Sequence, residues 1–201
     1  MRLRFGPIPD DPGFEPEAGD WVRLREPSFG RMLLLALPLS VLLVTGIWMA
    51  WGAVARLRGI EGEFGGAVTL ATALSYLVAF VVLLLVHELL HAAALPAAGL
   101  SAATTLGVWP KMLTPYVSYE GELSRNRHVL VGVTPFLVLS VVPIVVGFCF
   151  SAVPPWAVAL GVVNAFGASG DLIGLGVLVF QAPSSALVRS KGRETWWRRP
   201  V

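Results

Sequence analysis

One cysteine in 201 residues, Cys149, leaves no partner for an intramolecular disulfide and no thiolate set for a cysteine-based zinc site. It lies inside an apolar run, where a buried small hydrophobe is expected. Charge is almost as scarce: 14% of residues are charged and 55% are hydrophobic, whereas soluble domains carry about a quarter charged residues. That shortage excludes an ordinary soluble domain. The formal net charge of +2 is spread over flanking segments, so no nucleic-acid partner is expected. The first 31 residues mix acids, bases, proline and glycine without an apolar centre, and a cleavable signal peptide is not expected. Internal repeats and low-complexity tracts are also missing.

Long apolar runs are what the chain has instead. They cover about Met32–Val54, Ala67–Leu95, Val129–Val153 and Trp156–Phe180. Each exceeds the ~20 residues that cross a hydrocarbon core. The expected fold is an all-α membrane protein of about four transmembrane helices, with a short β-hairpin or extended loop between the second and third. Residues 1–31 read as an irregular cytosolic lead-in, because Pro7, Pro9, Pro12 and Pro16 preclude a long helix. Residues 32–180 form the membrane domain and 181–201 a basic cytosolic tail, whose Trp196-Trp197-Arg198-Arg199 suits anionic headgroups. Trp48 and Trp51 read as interfacial anchors. A connection with Glu61, Glu63 and Gly65-Gly66 joins the first two spans, and Pro154-Pro155 turns the third into the fourth. Strand-like Thr104–Trp109 and Tyr116–Tyr119 flank Pro110–Pro115.

Eleven Lys and Arg flank the spans on the side of the N-terminus, against Arg56 and Arg58 on the other. The positive-inside rule therefore places both termini in the cytosol and the chain in the cell membrane.

Of three histidines, two stand in His87-Glu88-Leu89-Leu90-His91. Four residues apart on a helix, their imidazoles project to one side about a turn from each other. Both can reach one zinc ion while Glu88 stands beside it, the zinc-metalloprotease pattern. These are the only acidic, basic or histidine side chains between Ala67 and Leu95. A carboxylate near a bilayer centre costs roughly 2.5–3.5 kcal/mol on insertion scales, so it persists where it faces an interior or a wet cavity with partners.

A catalytic zinc needs a third protein ligand and an open position. Asp171, His128 and the loop carboxylates Glu120 and Glu122 are the candidates. Asp171 is the only charged residue between His128 and Arg189. The second and fourth spans run in the same direction, and the depths of His87 and Asp171 along them differ by only ~6 Å at ~1.5 Å per residue. With neutral imidazoles, the carboxylates of Asp171 and Glu88 balance a divalent cation. His128 opens the third span, where an interfacial histidine is ordinary. Asn164, two turns before Asp171, can hold substrate backbone or make an interhelical hydrogen bond. The segment 104–119 can take an extended peptide as an added strand.

The His87–His91 motif, the strand-like loop after it, the Arg-bearing start of a Pro-containing span and the late Ser169-Gly170-Asp171 together resemble a bacterial family of zincin peptidases. These are small polytopic membrane proteins allied to the site-2 proteases, which cut substrates within or near the membrane. The resemblance covers roughly residues 70–180. It implies zinc held by His87, His91 and Asp171, Glu88 as general base, and a protein or peptide substrate that is itself membrane-bound. Gly170-Asp171-Leu172 departs from the longer Asn-Pro-Asp-Gly type of element usual around the site-2 protease aspartate. The competing class is a non-catalytic membrane metal-binding or scaffold protein on the same fold. Glu88 separates the two, since coordination can do without it and hydrolysis cannot.

Overall fold

A computed structural model describes residues 1–59, 69–112, 114–150 and 155–200. The Glu61, Glu63 and Gly65-Gly66 connection and Pro154 lie outside these residues. The chain is mostly helical. Helix α1 (Phe29–Arg58) ends on Gly59, whose φ of 61° supplies the left-handed residue that closes a helix C-terminus. Helix α2 (Leu70–Ala94) starts on Thr69, whose hydroxyl accepts from the Thr72 amide, and stops before Pro96, whose ring disfavours a helical Leu95. The third run is α3 (Arg125–Phe136), a π-helical stretch (Leu137–Val141) and α4 (Val142–Cys149). The fourth is α5 (Pro155–Gly167) and α6 (Ser169–Gln181), bent by 43° between them.

Three of these runs are long and apolar enough to cross a membrane, and four if the bent pair is one span. Their apolar side chains point outward: only 6% of the most apolar window of α2 is buried. Leu74, Leu77, Val78, Val81 and Val82 of α2 are each about half exposed or more. So large an uncovered apolar surface is what a lipid-facing helix presents and what a soluble one avoids.

The helical core holds Ile47, Trp51 and Val54 of α1 against Ile144 of α4 and Val158 and Ala165 of α5. Trp51 is therefore a core residue and not an interfacial anchor; Trp48, one turn earlier, is exposed. Cys149 is exposed on α4, contrary to the buried position expected of it.

Two small sheets cover the end of the bundle where α1 and α3 begin and α2 and α6 end, and they correct the all-α expectation. In the first, β1 (Arg2–Phe5) pairs in parallel with β3 (Thr104–Trp109), which pairs antiparallel with β4 (Thr114–Tyr119). The 104–119 hairpin is thus present, with a third strand added from the N-terminus. In the second, β2 (Val22–Arg23), β7 (Glu194–Arg198), β6 (Leu187–Lys191) and β5 (Leu123–Ser124) lie in that order, all antiparallel. The lead-in and the tail are therefore not loose. Asp11 pairs with Arg189 at 2.7 Å, and Arg189 lies 4.5 Å from the centre of the Phe14 ring. Trp197 packs on a core of Leu24, Leu178, Ala182, Ala186 and Val188, and both tail tryptophans belong to strand β7.

Two arginines counted above as membrane-flanking charge close helix ends. Arg127 donates to the Leu95 carbonyl at 3.1 Å and Arg125 to the Ala182 carbonyl at 2.9 Å. Each satisfies an acceptor that a helix terminus leaves over. The chain then turns under α2 at Gly99 (φ 72°), where a Cβ would stand 2.6 Å from the Ala92 carbonyl oxygen; only glycine fits.

Candidate metal centre

His87 and His91 share one face of the last two turns of α2, as their spacing requires, with ring centroids 4.9 Å apart. Asp171 arrives from the first turn of α6. The 43° bend at Ala168 sets the direction in which it projects. Ser40 of α1, itself 3% exposed, fastens that bend by donating to Ser169 Oγ at 2.9 Å, while Ser169 donates to the Phe166 carbonyl at 2.9 Å. Nothing lies within 4 Å of a Cβ built on Gly167 or Gly170, so neither glycine is required by close helix packing. The close approach is at Gly132 of α3, where a Cβ would stand 2.7 Å from Leu175 of α6.

Asp171 Oδ2 lies 3.1 Å from His87 Nε2 and 3.5 Å from His91 Nε2. One ligand atom from each of the three residues falls within 4.8 Å of the other two. Among the described residues no other His, Cys, Asp or Glu forms such a group. Glu120 pairs with Arg2 and Glu122 with Arg198. His128 lines the same cavity without joining the group.

The outer hydrogen bonds fix which imidazole nitrogens carry protons. Asn164 donates through Nδ2 to the Pro135 carbonyl at 3.1 Å and to Ser140 Oγ at 2.9 Å. Its Oδ1 therefore faces His87 Nδ1, at 2.8 Å, and can only accept. His91 Nδ1 stands 2.8 Å from the Val131 carbonyl, also an obligate acceptor. Both rings therefore donate through Nδ1, and with the imidazoles neutral both Nε2 lone pairs are directed at the Asp171 carboxylate. Three electron-pair donors so arranged suit a cation, and two imidazoles with a carboxylate are a zinc donor set. Asn164 is 3% exposed, with both of its N–H donors spent inside the protein, so its side chain holds His87 and does not reach the cavity as a substrate contact.

Glu88 sits beside the group at the wall of a cavity of about 420 Å³, which His91, Asp171, His128, Gly170 and the length of β4 also line. The Val117 backbone amide lies against the Glu88 carboxylate. Strand β4 has one free edge among the described residues. The Glu120 amide donates to Ala103, so even-numbered residues of this strand bond β3. By the alternation of an antiparallel ladder, the backbone groups of Val117 and Tyr119 point off the free edge.

Such a site defines a metal-dependent hydrolase of the His-Glu-x-x-His kind. The model of a family described as "Putative zincin peptidase" matches residues 80–187, more than half of the chain, and the chain belongs to that family. Its class is zinc metallopeptidase. No curated protein and no solved structure matches it.

Proposed function

We propose that the protein is a membrane-embedded zinc metalloendopeptidase that hydrolyses peptide bonds in membrane or membrane-proximal substrates. The observation that carries this reading is the convergence of His87, His91 and Asp171 within 4.8 Å, beside Glu88, on helices apolar enough to cross a membrane. These three side chains would hold zinc, which supplies polarisation of the scissile carbonyl and acidification of water. Glu88 takes the proton of the attacking water and returns it to the leaving amine. The Val117 amide steadies the Glu88 carboxylate for that exchange.

The cavity continues from Glu88 to the two sheets, so water and peptide reach the site from that end. The excess of Lys and Arg at this end supports a cytosolic face for it. An extended peptide pairing with the Val117 carbonyl and with Tyr119 on the free edge of β4 would lay its backbone across Glu88. The bilayer is the second partner.

In nanodiscs, the purified zinc-loaded protein is expected to cleave a single-span reporter near the sheet end of its helix, to stop when a zinc chelator is added, and to resume with fresh zinc. Cleavage that persists under chelation would refute the metallopeptidase reading. In the same assay, substrate peptides N-methylated at alternate backbone nitrogens should lose roughly tenfold in kcat/KM, since each lost hydrogen bond is worth about 0.5–1.5 kcal/mol. Equal turnover of methylated and plain peptides rules out strand pairing.

A further inference from the structure

The second imidazole owes its partner to a proline. In an α-helix the carbonyl of residue i accepts from the amide of residue i+4. For Val131 of α3 that residue is Pro135, which has no N–H. The Val131 carbonyl is therefore left without its helical donor, and it is the oxygen that His91 Nδ1 approaches at 2.8 Å. Pro135 is fully buried in mid-helix, where proline costs ~3 kcal/mol in a soluble helix. In a membrane helix the position is tolerated when another group satisfies the freed carbonyl. Here that group is the imidazole.

We infer that Pro135 is a positioning residue of the metal centre: by withholding a helical donor it reserves the Val131 carbonyl for His91, which fixes the ring with its proton on Nδ1 and its Nε2 lone pair towards Asp171. The inference rests on the reading of this site as a metal centre. The same residue also serves the first imidazole, because its own carbonyl accepts from Asn164, which holds His87. Both rings are thereby referenced to one turn of α3. An N–H restored at position 135 would share the Val131 oxygen with His91 and draw it back along the helix axis.

The test compares Pro135→Ala with Pro135→Gly in the full-length protein in detergent. Both restore the N–H, but glycine leaves the helix free to bend. Zinc affinity by chelator competition, the visible spectrum of the cobalt-substituted protein and the melting temperature of the metal-free protein are read together. Both variants are expected to bind zinc about tenfold more weakly, the lower end of the roughly 10–100-fold range for loss of an outer partner. The cobalt spectrum should change in both, and the metal-free Pro135→Ala protein should melt no lower than wild type. Wild-type affinity and spectrum in both variants would overturn the inference. So would a loss in Pro135→Ala alone, which would assign the effect to the bend. A wild-type protein that binds no zinc would instead remove the metal centre itself.

Discussion

Glu88→Gln is expected to keep its zinc and lose its peptidase activity. The substitution preserves shape and leaves an oxygen for the Val117 amide, but a carboxamide cannot take a proton from water. None of the three metal-directed atoms belongs to residue 88. General-base assistance is worth roughly 10²–10⁴-fold in rate, so kcat on the reporter should fall by about that factor at unchanged zinc stoichiometry. Parallel metal analysis and cleavage kinetics check this. Unaltered cleavage would take Glu88 out of the mechanism, and loss of zinc along with activity would make residue 88 part of the metal's support. The measurement also separates an enzyme from a metal-holding scaffold, because a scaffold has no activity for the substitution to remove.

Asp171→Asn is the second large effect, and it falls on the metal. Asparagine keeps the volume and a weakly donating oxygen, so the helix contacts and the Ser40–Ser169 clamp at the bend remain. The negative charge goes. With neutral imidazoles, Asp171 and Glu88 together balance a divalent cation, and removal of one carboxylate leaves net positive charge in a poorly solvated place. Zinc affinity should drop by more than the roughly 10–100-fold that loss of an outer partner costs. Metal titration against a competing chelator is the check. Retention of wild-type affinity by Asp171→Asn would show that the carboxylate holds no metal.

The central helix was legible in the sequence because its polar residues stand alone. In a run as apolar as Leu70–Ala94, two histidines and one glutamate at helical spacing have few other meanings. Asp171 followed from depth along a parallel span, without knowledge of the bend at Ala168. Thr104–Tyr119 showed its strands through local composition. The rest depended on distant partners. β1 is four residues long and pairs with β3 about a hundred positions away, and the prolines that follow it suggested only irregular chain. The Trp and Arg of β7 suit a headgroup region as well as a strand, and only the distant partners β2 and β6 show that they form a strand. Pro135 shows in the sequence only as a proline within an apolar run; the carbonyl it frees gains meaning only once His91 is seen to face it. Asn164 could be placed on the right helix face, but which polar groups used it up required the packing of α3 against α5.

The most direct test of the metal centre is the metal content of wild-type protein purified without added metal, measured beside His87→Ala prepared in the same way. One zinc per chain in the wild type and none in the variant is the expected result. A wild type that takes up no zinc even when it is supplied, or a variant that carries as much as the wild type, would contradict it.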